Sequence, residues 1–180
     1  MAWRRPRRRS LFRTIADALV FLLVLTMVLF AMNRFGAVDT RTAPPGRLVA
    51  IDGDTLRGPD GDIRLYGIDA PELFQTCATS TGGEYPCGRE AKQALKRLTD
   101  RREIACSARD TDRFGRTVAV CLANGIDVNR QMVAEGWAIA YPGSAEYVGV
   151  EAEARQARRG LWSGVFEPPR EWRRQHDRRS

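Results

Sequence analysis

Three carboxylates and two guanidiniums give this chain its means of doing chemistry: Asp54, Asp69, Glu72, Arg64 and Arg116. They fall in three short segments, IDGDT at 51–55, RLYGIDAPE at 64–72 and DRFGR at 112–116. Asp54 and Asp69 flank turns at strand ends, where carboxylates from different strands can converge on one ion. Ca²⁺ takes about six to eight oxygen ligands, backbone carbonyls and waters among them, and Mg²⁺ competes on ligand chemistry alone. Two carboxylates, a carbonyl and several waters make a weak site, suited to compartments where calcium is plentiful. Glu72 follows Pro71, and a carboxylate beside a metal-bound water can take its proton or orient it. Arg64 and Arg116 can each give two parallel hydrogen bonds to phosphate oxygens, where charge gathers in the transition state. Taken singly, each residue also fits ordinary turn, strand or loop chemistry. Their joint occurrence points to metal-assisted cleavage of a phosphodiester.

The elements that must position these residues are legible in outline. Residues 47–51 form a short apolar strand, and Asp52-Gly53 is a turn. A second strand resumes at 55–57, Asp60-Gly61 is a hairpin corner, and 63–68 is the third strand of a meander. An irregular stretch, 69–87, contains Gly82-Gly83. Ala91, Ala94, Leu95 and Leu98 put one apolar face on a helix over 89–98. Strands at 103–106 and 117–122 form a hairpin whose tip lies near Arg113 and Phe114. Asp127 caps a helix closed by Gly136, and a further helix over 145–159 ends at Gly160. Five strands with appended helices make a small barrel, α+β overall.

The chain has 180 residues, enough for one domain and an appendage. Six arginines between Arg4 and Arg13 precede a 15-residue apolar run at 18–32, interrupted only by Thr26. Basic residues before an apolar stretch are the pattern of a secretory signal or a signal anchor. As a helix the run reaches only about 22 Å against a hydrocarbon core of ~30 Å, and starting at Ile15 brings it closer. No good small-residue cleavage site follows, which favours an uncleaved transmembrane helix at 15–35 over a cleaved signal. The arginine flank at 1–14 then lies inside and the globular part outside. Residues 36–46, GAVDTRTAPPG, form a linker.

The net charge of +7 is not a nucleic-acid signature. Seven arginines and one aspartate before Gly36 supply +6 of it, and the remainder carries 22 basic against 21 acidic residues. A case for a nucleic-acid substrate must come from the site. The four cysteines, Cys77, Cys87, Cys106 and Cys121, suit two disulfides in an exported domain and allow three pairings. The preferred pairing is Cys77 with Cys87, stapling a Gly-rich loop, and Cys106 with Cys121, joining the strands of a hairpin. Closing a loop of about 15 residues is worth roughly 3 kcal/mol in the chain-entropy model. With no C-x-x-C spacing and one histidine, His176, in the tail, zinc is disfavoured.

The three segments, in this order and spacing, resemble the staphylococcal (micrococcal) nuclease family, the thermonucleases. The resemblance runs from about Arg47 to Trp162 and takes in DVNRQMVAEGWA at 127–138 and AEARQARRGLW at 152–162. It implies an OB-fold, a five-stranded β-barrel with three helices, over a domain at 47–166, and composition makes 167–180 a basic polar tail. It implies that Asp54, Asp69 and the Ala70 carbonyl bind calcium and that Glu72 is the general base. Arg64 and Arg116 would bind the scissile phosphate, and DNA and RNA would be cut to fragments ending in 3′-phosphate. Ala70 replaces a threonine of the staphylococcal enzyme, Phe114 a tyrosine beside the nucleotide, and Arg113 a lysine. Tyr141 would supply a nucleotide-contacting ring. The expectation is a monomeric, calcium-dependent endonuclease acting on single-stranded DNA and RNA. Its amino-terminal helix would anchor it in the inner membrane, with the domain in the periplasm or outside; a cleaved, secreted form is the alternative. The rival readings are an OB-fold module that binds nucleic acid without cutting it, and an accessory protein in envelope or exopolysaccharide production.

Overall fold

The computed structural model describes residues 11–35, 40–43 and 48–176, with side chains over 15–30 and 48–176. The chain divides into two units, Met1–Val38 and Asp39–Ser180. In the first, Leu11–Phe35 is one helix (α1) with no glycine or proline to break it. Its large apolar side chains from Ile15 to Phe30 are exposed. Among the described residues, no helix is long and apolar enough to cross a membrane. The apolar run within α1, 18–32, reaches only about 22 Å, short of the ~30 Å core. The expected transmembrane span over 15–35 is therefore not borne out.

The second unit begins with strands Thr40–Ala43 (β1), Val49–Ala50 (β2), Thr55–Gly58 (β3), Gly61–Leu65 (β4) and Ile68–Asp69 (β5). Cys77–Ala78 (β6) and Glu84–Tyr85 (β7) precede the helix Cys87–Thr99 (α2). Ile104–Thr111 (β8), Thr117–Ala123 (β9) and Ile126–Asp127 (β10) lead into the helix Val128–Ala134 (α3). Ile139–Ala140 (β11), the helix Ala145–Gln156 (α4), a 3₁₀ turn at Gly160–Ser163 and the helix Pro169–His176 (α5) complete it. The main sheet runs β1-β8-β9-β4-β3-β2, with β10 on β9, and β5 pairs β11 while β6 pairs β7. β4 lies parallel to β9, whereas the other pairings are antiparallel.

The expected α+β class is borne out, with more strands and helices than the five and three of the expected OB barrel. The domain is α+β, with a seven-stranded sheet and four helices, and no closed barrel forms among the described residues. β1 and β2 stand at opposite ends of the sheet path, and β2 offers only two residues for pairing. β1 arises within the segment expected to be linker. The expected strand over 63–68 breaks at Tyr66-Gly67. Gly67 holds φ +73°, and a Cβ there would lie 2.7 Å from Ser144 Oγ. The break turns Ile68 and Asp69 away from β4 to pair with β11, burying both. That turn sets Asp69 apart from Arg64 along the chain yet within reach of it.

Other expectations hold locally. The Gly58–Gly61 corner joins β3 to β4. The Asp127 carboxylate accepts the Arg130 amide at 2.9 Å and caps α3. α2 buries Ala91, Ala94 and Leu95 against a core that includes Leu56, Leu65, Ile68, Met132 and Tyr147. α4 ends at Gln156, earlier than expected, because Arg158 and Gly160 adopt positive φ. Asn129 is fully buried and satisfied: its oxygen accepts the Cys121 amide, and its amide donates to the Tyr66 and Ala119 carbonyls. One side chain thus pins α3, β9 and the turn that places Asp69. Both preferred disulfides are present, Cys77–Cys87 and Cys106–Cys121, the second between directly opposed residues of β8 and β9.

Candidate active site

The loop at 51–54 carries the first carboxylate. Its backbone is tied at both ends, the Ile51 amide donating to the Thr55 carbonyl and the Leu65 amide to the Asp54 carbonyl. Gly53 allows a close approach: a Cβ there would sit 2.7 Å from Ala70 Cβ and 2.8 Å from Ala91 Cβ. Small residues on three elements therefore let this loop settle onto α2 and Ala70. Asp54 is 3% exposed and Asp69 1% exposed.

Arg64 bridges the two. Its Nη1 donates to Asp54 at 2.9 Å and its Nη2 to Asp69 at 2.8 Å. Asp54 also accepts the Thr55 hydroxyl and, through its other oxygen, the Ala70 amide at 3.2 Å. Asp52 lies behind, accepting the Asp54 amide at 2.9 Å. Burial, and next the Asp54 charge, push the Asp52 carboxyl up to about 6. Asp69 is raised by the same two causes in the same order, against the opposing pull of Arg173 and Arg64. Burial works against the charge on Arg64, yet Asp54 and Asp69 outweigh it and hold its pKa above the ordinary value.

A cleft of about 1070 Å³ opens over this cluster. Asp54, Arg64, Ala70 and Glu72 line it, and so do Arg113, Phe114, Arg116 and Tyr141. Asp69 does not line it; it is buried beneath and linked to the cleft through Arg64. The Asp112–Arg116 hairpin tip is self-organised, with one Asp112 oxygen accepting the Phe114 and Arg116 amides. The other Asp112 oxygen takes Arg116 Nε at 2.7 Å, leaving the remaining guanidinium N–H groups for another acceptor. Phe114 is 68% exposed, with the Arg113 guanidinium 4.7 Å and that of Arg116 5.5 Å from its ring centroid. An exposed aromatic between two cations is a surface on which a nucleobase can stack. The Tyr141 amide donates to the Gly67 carbonyl, and this exposed ring also lines the cleft. All eight non-cysteine site residues that line the cleft, together with Asp69, are thus brought together; the four cysteines lie outside it.

Sequence reasoning missed Asp52 and Arg173. Asp52 stood in plain view in the DGD triplet but was assigned to the turn. Arg173 lies in the segment expected to be a polar tail. Arg173 and Arg174 stand three and four residues after Arg170, which was the available signal for one helical face.

The donor set suits a hard, oxygen-seeking cation. Two buried carboxylates, Asp54 and Asp69, lie beside Asp52, burial and then the Asp54 charge raise Asp52 and Asp69, and no soft ligand is present. Among the described residues, no group of three or more metal-type side chains is already assembled, because Arg64 lies between Asp54 and Asp69. Asp54 and Asp69 would hold the ion, with the carbonyl of the adjoining Ala70.

Buried acidic oxygens beneath a cleft lined with guanidiniums and an exposed aromatic are groups that suit a phosphodiester. The model of the staphylococcal nuclease homologue family matches residues 62–164. The chain is 34% identical over 132 residues to the succinoglycan biosynthesis protein ExoI of Rhizobium meliloti strain 1021, covering 71% of this chain and 68% of that one. It is 34% identical over 149 residues to the micrococcal nuclease of Shigella flexneri, covering 68% of this chain and 80% of that protein. A probable staphylococcal-like nuclease of rice, CAN3, is 34% identical over 132 residues, but there the match spans only 32% of the relative. This chain belongs to the staphylococcal nuclease homologue family. Family and nuclease relatives together support a nuclease.

Proposed function

We propose that this protein is a calcium-dependent endonuclease that hydrolyses single-stranded DNA and RNA to fragments ending in 3′-phosphate. The observation that carries the reading is the convergence of Asp54, Asp69, Arg64, Glu72 and Arg116 in and beneath one cleft. Asp54, Asp69 and the Ala70 carbonyl hold the ion, which when bound supplies Lewis acidity and a site for a water. Glu72 takes the proton of the water that attacks phosphorus. Arg64 and Arg116 bind the non-bridging oxygens and stabilise the charge that gathers there in the transition state. The P–O5′ bond breaks, the phosphate stays on the 3′ oxygen, and the 5′ oxygen takes a proton from water. Arg113 adds charge for the backbone, and Phe114 and Tyr141 offer rings to flanking bases. The absence of a tyrosine hydroxyl at Phe114 removes one possible polar contact to substrate.

Both disulfides favour an oxidising compartment, and the arginine-flanked apolar α1 supports export with the domain in the periplasm or outside. Whether α1 retains the protein at the inner membrane is read by fractionating cells into membrane and soluble pools. A binding-only module would tolerate loss of the catalytic set, and all five side chains are present. The test is digestion of single-stranded DNA and RNA by the full chain, with calcium and then with excess chelator. Cleavage to 3′-phosphate ends that stops on chelation supports the reading. Binding without cleavage at saturating calcium overturns it.

A further inference from the structure

α5 delivers a guanidinium to the middle of the carboxylate cluster. Arg173 Nη1 donates to Glu72 Oε1 at 2.6 Å, and Nη2 to both Asp69 oxygens at 3.0 Å. Arg173 and Glu72 both line the cleft, and Arg173, its side chain 29% exposed, reaches from it to the buried Asp69. The chain leading to it is well fastened. Pro169 is buried. Gln75, also fully buried, donates Nε2 to the Glu167 carbonyl at 2.7 Å and accepts the Glu72 amide at 3.2 Å. Val165 and Ala78 exchange two backbone bonds, each 2.9 Å. Ala78 belongs to the loop closed by Cys77–Cys87, and those cysteines form a small core with Leu161 against which Phe166 packs. One buried glutamine and one disulfide-closed loop therefore support both the Glu72 turn and the approach to α5.

We infer that Arg173 is a positioning residue for the nuclease reaction, its α5 guanidinium holding Glu72 Oε1 and Asp69 so that the second Glu72 oxygen serves the attacking water. The inference rests on the nuclease reading above. The terminal torsion of a glutamate is broad, so an unheld carboxylate samples many orientations. A misplacement of about 1 Å at a reacting group can cost ~10²-fold in rate. A planar fork fixes orientation through two bonds at once, which a lysine cannot reproduce. Arg64 already bridges Asp54 and Asp69, so the second guanidinium also shares the compensation of their buried charge.

The test compares the full-length wild type, Arg173→Ala and Arg173→Lys. It reads kcat and KM on single-stranded DNA, calcium affinity by calorimetry, and unfolding temperature without metal. Arg173→Ala is expected to lower kcat about 10- to 100-fold with KM within about twofold, and Arg173→Lys to recover part of the loss. Calcium is expected to bind Arg173→Ala no more weakly than wild type, since a cation has left the acidic cluster. An unchanged kcat with only a lower unfolding temperature makes Arg173 structural, and a raised kcat makes it an inhibitory plug; either overturns the inference. A wild type that does not cleave sinks the nuclease reading itself, whereas an active wild type matched by Arg173→Ala sinks the positioning role alone.

Discussion

Replacing Arg64 by alanine should expose the balance of charge on which the site is built. Arg64 makes two charge-assisted bonds, at 2.9 and 2.8 Å, to carboxylates that are 3% and 1% exposed. Hydrogen bonds to charged groups are each worth about 1.5–3 kcal/mol, and removing one partner of a buried ion pair costs about 3–5 kcal/mol. Both routes start at about 3 kcal/mol, and Arg173 still compensates Asp69, so that lower end applies in metal-free protein. For a domain of this size that is roughly a 10 °C fall in Tm. Calcium binding only the folded state should return part of it, about 2.7 kcal/mol at a hundredfold excess over Kd. The assay is thermal unfolding of wild type and Arg64→Ala, each with chelator and with saturating calcium. The expected pattern is a deep loss with chelator and a larger calcium-induced rise in the variant than in wild type. Cleavage should stay about 10²–10³-fold below wild type even where calcium has restored the fold, because the phosphate has lost a donor. A variant as stable as wild type in chelator would refute the buried-charge account, and one that cleaves as fast would refute the role of Arg64 at phosphate.

Other perturbations test separate parts of the account. Asp52 titrates near 6 in the folded protein against an ordinary 3.8, so the folded state binds more protons than the unfolded across that window. Metal-free stability should therefore fall as pH rises from 3.8 towards 6, and Asp52→Asn should flatten that slope in pH-dependent thermal unfolding. An unaltered slope would remove Asp52 from the cluster's electrostatics. Gly88→Ala would place a Cβ 1.7 Å from the Glu72 carbonyl oxygen, so the Glu72 turn must move. Cleavage should drop by at least about tenfold while circular dichroism shows the fold retained. Full activity in that variant would show that the turn's placement does not matter.

Much of this was legible because the signals were local. The Asp60-Gly61 corner, the Asp127 cap and the apolar face of α2 each depend on neighbours within one turn or one hairpin. The Cys106–Cys121 pairing followed from a hairpin whose register puts the two residues opposite one another. What escaped was non-local. The parallel β4–β9 pairing joins segments more than fifty residues apart, and strands of two residues such as β2 and β5 carry no periodic pattern. The break at Gly67 is forced by Ser144 and Tyr147 from α4 and its cap, which a strand pattern cannot reveal. Arg173 escaped for a different reason. Composition made 167–180 a charged tail, whereas Gln75, Ala78 and the disulfide-closed loop fasten it to the cleft. The site residues themselves were found because carboxylates and arginines at turns have few structural reasons to recur together.

Glu72→Gln gives the most direct test of the central claim. The substitution keeps the shape of the side chain and its capacity to accept from Arg173, and removes the ability to take a proton. Single-turnover cleavage of single-stranded DNA in saturating calcium should fall by about 10²–10⁴-fold, with unfolding temperature and DNA binding near wild type. Cleavage at the wild-type rate would contradict the assignment of this cleft as the catalytic centre of a nuclease.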